Sequence, residues 1–207
     1  MADRLRSLWD FDDLDATEQR FHAQLAEESN DAGRAEVLTQ LARIEGLRND
    51  FDSCERLLQE AEALAGEDVV VKVRIGLERG RKLRSGGDPV ASLPLFEAAF
   101  DYACDSGRSY LAGDAAHMCA LAVSEDRAAM EKWTHRGLEL GERDADAAYW
   151  AGPLLSNLGW AYFDAGEREH ALELFERALE ARRRDPDNHE AIAFAEEAVQ
   201  TARDALD

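Results

Sequence analysis

Apolar residues recur at three- and four-residue spacing along almost the whole chain, with Ala, Leu, Glu and Arg filling the helical pattern. Alternating β-branched stretches are nearly absent. Val69-Val70-Val71 is the exception, and Val73 and Leu77 carry it on at helical spacing. Breakers interrupt the pattern at Asn30-Asp31-Ala32-Gly33, Gly66-Glu67-Asp68, Ser85-Gly86-Gly87-Asp88-Pro89, Ser106-Gly107, Gly141, Gly152-Pro153, Asp164-Ala165-Gly166 and Asp185-Pro186-Asp187. The pattern predicts an all-α chain of about ten helices joined by short turns. Asp88-Pro89 reads as an N-cap followed by Pro at the first helical position. Asp187 or Asn188 can cap the last helix. Pro94 falls inside a helix and should bend it rather than end it. Arg182-Arg183-Arg184 stands at a helix C-terminus, where favourable interaction with the helix dipole outweighs a binding-patch reading.

The clearest internal unit is Leu155-Ser156-Asn157-Leu158-Gly159-Trp160-Ala161-Tyr162-Phe163-Asp164-Ala165-Gly166, followed by Ala171-Leu172-Glu173-Leu174-Phe175-Glu176-Arg177-Ala178-Leu179. Leu155, Leu158 and Tyr162 lie on one stripe, and Gly159 admits a neighbouring helix. Gly166 can take the positive φ that ends a helix. Ala171 and Ala178 are small where helices cross, and Phe175 fills the space between them. The unit resembles the tetratricopeptide repeat, a helix–turn–helix module. The family's closing Pro appears as Pro186, a few residues late, which predicts a longer second helix.

Weaker copies flank it. Ala42, Cys54, Leu58 and Ala61 fit the frame, as do Gly80, Leu83, Gly87, Ser92, Phe96 and Ala99. The small position that opens each second helix recurs at Thr17, Cys54, Ser92, Ala129 and Ala171. In the fourth unit either Trp133 takes the place of Phe175, or the frame slips by one so that Arg136-Gly137-Leu138 matches Arg177-Ala178-Leu179. The resemblance therefore implies one domain over 1–207: an incomplete unit at about 10–30, units at about 35–68, 73–106, 108–142 and 152–186, and a closing helix at about 188–206. On that helix Ala191, Ile192, Ala195, Val199, Ala202 and Leu206 should face inward, and Glu190, Glu197 and Asp204 outward. The fold it implies is a right-handed α-α superhelix.

The family's first helices line a concave groove that grips an extended peptide or a helix. By the resemblance, Asn157 and Trp160, flanked by Ser156, Phe163 and Asp164, face that groove in the best unit. Glu78 and Arg81, flanked by Arg74 and Arg84, do so in the third, and Gln40 and Arg43, flanked by Thr39, in the second. Arg43, Arg74, Arg81 and Arg84 would gather positive charge suited to carboxylates. Asn157 could hold a peptide backbone, and Trp160 and Phe163 could supply an apolar anchor. The alternative pairs these arginines with nearby acids and packs Trp160 between helices. The Lys of the Lys/Asn clamp found in chaperone-tail-binding relatives is missing.

The chain of 207 residues carries 44 Asp+Glu against 24 Lys+Arg, a net charge of -20. That charge argues against nucleic acid or anionic membrane as partner, and no apolar run can span a bilayer. Only Lys72, Lys82 and Lys132 are lysines, which fits a high-salt environment and a GC-rich coding sequence about equally. The start MADRLRSLWDFDD lacks a secretory h-region, and Cys54, Cys104 and Cys119 read as reduced thiols, so a cytoplasmic protein is expected. Leu8-Trp9-Asp10-Phe11 either folds back as a cap or forms a self-association contact.

Catalytic signals are weak. Glu167-x-x-His170 occurs once, where a di-iron bundle needs two such motifs and two further Glu. Glu18 with His22 and Glu131 with His135 are solvated helical pairs. His117 and Cys119 point apart on one helix, and Cys54 stands where repeats place Ala. No C-x-x-C, H-E-x-x-H, P-loop or G-x-S-x-G occurs. The expectation is a non-catalytic scaffold with no cofactor and no metal, binding an acidic or carboxylate-terminated peptide. The alternatives are a ligand-sensing regulatory module and a self-assembling solenoid.

Overall fold

A computed structural model describes residues 3–186 and 188–206. Among them no strand occurs. The helices are α1 (Leu14–Glu27), α2 (Asp31–Leu47), α3 (Phe51–Ala65), α4 (Val69–Ser85), α5 (Pro89–Asp105), α6 (Ser109–Ala122), α7 (Arg127–Arg143), α8 (Ala151–Asp164), α9 (Arg168–Arg182) and α10 (His189–Asp204). Successive helices pair as hairpins, most extensively α2 with α3, α4 with α5 and α8 with α9. The chain is therefore an array of helical hairpins, as the breaker pattern predicts. It divides into two compact units, Met1–Leu111 and Ala112–Asp207.

The turn inside three of the hairpins is built the same way. The Asn49, Gly87 and Gly166 amides donate to Gly46, Arg84 and Phe163 carbonyls at 3.0–3.1 Å. The next amide donates five residues back, Asp50 to Glu45, Asp88 to Leu83 and Glu167 to Tyr162, at 2.9–3.0 Å. This double bond pair satisfies the last carbonyls of the first helix and needs a left-handed residue. Asn49, Gly87 and Gly166 supply it, with φ of 62°, 92° and 83°.

The second helix then starts from a capping acid. The carboxylates of Asp13, Asp50, Asp88 and Asp126 accept from the amides of Ala16, Ser53, Ala91 and Ala129. Asn188 does the same for Ala191 on α10, while Asp187 lies outside the described residues. Counted from the cap, Thr17, Cys54, Ser92 and Ala171 share one buried position, and Phe21, Leu58, Phe96 and Phe175 share the next. In α7 the same count gives Met130, Thr134 and Gly137, all buried, so the slipped frame describes this helix and Ala129 gives way to Met130. Trp133 is buried beside them, one place from the Phe175 position.

Two expectations are corrected. α9 ends at Arg182 and is no longer than α3, so the late Pro186 reflects an added turn rather than an extended helix. On α10 Ala195, Ala198, Val199 and Ala202 are buried, whereas Leu206 is exposed past the end of the helix. α5 runs through Pro94 to Asp105.

In the first unit Leu5, Phe21, Leu38, Leu41, Ile44, Leu58 and Val71 form the core. In the second, Phe175, Leu179 and Val199 form one cluster with Trp160, Tyr162 and Phe163 packed against it. The 3-10 turn Ala148–Trp150 leads into α8, and Trp150 lies so close to Gly113 that a Cβ there would meet its ring at 2.4 Å.

Candidate functional site

Three positions repeat along α2 and α4 at an interval of 38 residues: Glu36 and Arg74, Gln40 and Glu78, Arg43 and Arg81. The i, i+4, i+7 spacing puts each set on one face of its helix. α2 and α4 pack side by side, so the two sets adjoin.

In the first unit the chain itself lies on this face. Residues 3–13 precede α1 without forming an α-helix and contain one 3-10 turn, Arg6–Leu8. Arg74 donates to the Asp3 carboxylate at 2.6 Å and contacts Glu36 at 3.3 Å. Arg4 holds the other oxygen of Glu36 at 2.6 Å and Glu28 at 2.6 Å. Acid and base thus alternate in a five-residue network, Asp3–Arg74–Glu36–Arg4–Glu28, and the Arg74 and Asp3 side chains retain only 6% and 8% exposure. Burial pushes the Glu28 carboxyl up, but hydrogen bonds from Arg4 and Gln24 outweigh it and hold the group below the usual range.

Further along, the Trp9 indole N–H donates to Gln40 Oε1 at 3.0 Å, and Gln40 Nε2 donates to Thr39 at 3.1 Å. Trp9 stacks on Phe11 with centroids 4.8 Å apart and meets Phe21 edge-on. The Arg43 guanidinium lies 5.3 Å from the Trp9 ring and 5.5 Å from Phe11, a cation–π arrangement. Arg20 donates to the Leu8 carbonyl at 2.8 Å, and Thr17 exchanges two hydrogen bonds with the Asp10 backbone. The Leu8–Phe11 segment therefore folds back onto α1 and α2. A cleft of about 120 Å³ opens beside the network, lined by Asp3, Arg4, Glu36, Val70, Arg74, Arg108, Tyr110 and Leu111.

The remaining positions on α4 have a different partner. Arg81 contacts Glu78 at 2.5 Å, and Glu78 is buried. Arg84 is half-buried. On α4's flank towards α3, Arg79 bridges Glu55 and Glu62 and Lys82 holds Glu55 at 2.5 Å. Cys54 nearby is fully buried, and burial, with Glu78 adding to it, pushes its thiol up to about 12, so it is not a nucleophile near neutral pH.

In the second unit, Asn157 and His117 meet through Nδ2 and Nε2 at 2.9 Å. His117 packs against Trp150 at 5.3 Å. Ser156 is buried. Trp160 is half-buried, 4.9 Å from Phe175 and 5.3 Å from Phe163. The Arg168 guanidinium covers Phe163 at 3.8 Å. Trp160 and Phe163 thus meet on α8, and Glu78 and Arg81 on α4, while Asn157 is paired with His117. Arg74 is taken up by Asp3 and Glu36.

Sequence reasoning did not assign Asp3, Arg4 or Glu36 to the α2–α4 face, nor His117 as the partner of Asn157. The 38-residue interval flags Glu36 as the counterpart of Arg74, but nothing local pairs Asp3 with a residue 71 positions away. Among the described residues no cluster of three or more His, Cys, Asp or Glu could hold a metal ion. Among the described residues no helix is long and apolar enough to cross a membrane.

Residues 154–184, most of α8 and all of α9, match the family model of the tetratricopeptide repeat, a repeat that suggests a protein–protein interaction module. No curated protein matches the chain.

Proposed function

We propose that this chain is a non-catalytic protein-interaction scaffold that grips an extended acidic peptide along its first helices. The repeat at 154–184 supports an interaction role. The observation that carries the finer reading is the α2–α4 face, where Arg74, Gln40 and Arg43 take a carboxylate, an indole N–H and stacked rings from an extended stretch of chain. These are the contacts an acidic, aromatic peptide would offer. Arg81 and Arg84 continue the basic positions on α4. Asn157 offers an amide, and Trp160 with Phe163 an apolar anchor, on α8. A partner would draw Arg81 from Glu78, and Asn157 from His117, exchanging one polar contact for another. A reducing, cytoplasmic setting suits the three free thiols.

The test is capture from source-cell lysate by wild type and by an Arg81→Glu/Asn157→Ala variant of unchanged melting temperature. A protein held by wild type and lost by the variant is the expected result. Equal capture by both overturns the groove reading.

A further inference from the structure

Residues 3–11 make ligand-like contacts with the α2–α4 face. Their order is a carboxylate on Arg74, a fully buried Leu5, then an indole on Gln40 and two stacked rings under Arg43. The segment engages all three repeating positions of α2 and the first of α4. Its hold combines these polar contacts with the packing of Leu5, Leu8 and Trp9 on the core of the unit. Leu5 is the one fully buried side chain in it, Leu8 and Trp9 are partly buried, and Phe11 is 58% exposed.

We propose that residues 3–11 are a built-in occupant of this face, displaced by a partner segment of the same chemistry: an acid followed about six residues later by Trp or Phe and further acids. This rests on the groove reading and names both the ligand class and its competitor. While the occupant is seated, the competent fraction of the face is small, and the apparent affinity for an incoming peptide falls by that fraction. Once the occupant is weakened, the same peptide binds tighter without any new contact being made. Specificity follows from the face itself, since Arg74 demands a carboxylate and Gln40 an N–H donor at fixed separation.

A fluorescein-labelled peptide with the sequence of residues 3–12 is the probe, titrated by anisotropy against the full-length chain. Wild type should bind it weakly. An Asp3→Asn/Trp9→Ala variant should bind at least tenfold tighter, and adding Gln40→Ala should abolish the gain. Should the double variant lose its helical circular dichroism, Asp3→Asn alone must show a smaller gain in the same direction. Equal affinity in wild type and variants, or a gain indifferent to Gln40→Ala, overturns the proposal. A null result here, with a partner still lost on Arg81→Glu/Asn157→Ala, sinks the occupant and leaves the groove. Peptide binding with equal lysate capture does the reverse.

Discussion

At Gly80 an added Cβ would lie 2.4 Å from the Phe96 ring, and at Gly159 it would lie 2.6 Å from Phe175. The equivalent pair in α2–α3, at the same interval of sixteen, is Ala42 and Leu58, both fully buried. A flat ring needs the neighbouring helix bare, whereas a leucine leaves room for one methyl. Gly80→Ala should therefore destabilise by about 1–3 kcal/mol through overpacking, despite the better helix propensity of Ala. Adding Phe96→Leu recreates the Ala42–Leu58 pair, so the double variant should cost less than the sum of the two single changes. Chemical denaturation of the four proteins measures this, and additive losses would refute the size-matching account. This matching was legible in the sequence because both members repeat at fixed spacing. The burial of Arg74 was not, because its partner Asp3 lies 71 residues away and carries no pattern of its own.

Capping chemistry sets where each second helix begins, and it fails at one of them. Glu167 stands at the N-cap of α9 with φ -87° and ψ 67°, the same backbone as Asn188 at the N-cap of α10, yet its side chain caps nothing. Its longer carboxylate instead bonds Arg127. Glu167→Asp should bring a carboxylate back to the first turn and stabilise the unit by about 0.5–1 kcal/mol, since an exposed ion pair to Arg127 is worth less than a cap. Asp88→Ala should cost about 1 kcal/mol for the converse reason. Thermal melts of both variants check the two signs together. Helix number and turns were legible at this scale, because Gly, Asn, Asp and Pro punctuate them. The frame of α7 was not, because one extra residue in the turn before Asp126 shifts it and Thr134 stands where the other second helices carry Phe or Leu.

Across the whole molecule two electrostatic effects oppose each other. Forty-four acids against twenty-four bases repel, and that repulsion weakens as pH falls from 7 towards the isoelectric point near 4.6. Against this stand the carboxylates paired with arginine and lysine. For Glu28 and Glu55 burial pushes the group up, but hydrogen bonds and charge from Arg4, or from Lys82 and Arg79, outweigh it. For Glu62 the hydrogen bond from Arg79 dominates. All three are held below their ordinary value. Their contribution is therefore complete above the unfolded value of about 4.3 and is lost as pH falls through the lower folded values. The melting temperature should accordingly hold or rise from pH 7 to about 5 and then drop steeply below about 4. Salt separates the two effects. At pH 7, KCl shortens the Debye length below about 8 Å and screens the net repulsion, whereas the Arg74–Asp3 pair, nearly closed to solvent, is screened little. KCl should thus raise the melting temperature at pH 7 and change it much less near pH 4.6, where no net repulsion remains to screen. A fall with KCl at pH 7 would mean that the exposed ion pairs, such as Arg48 with Asp15 and Arg203 with Glu176, outweigh the repulsion of the surplus acids.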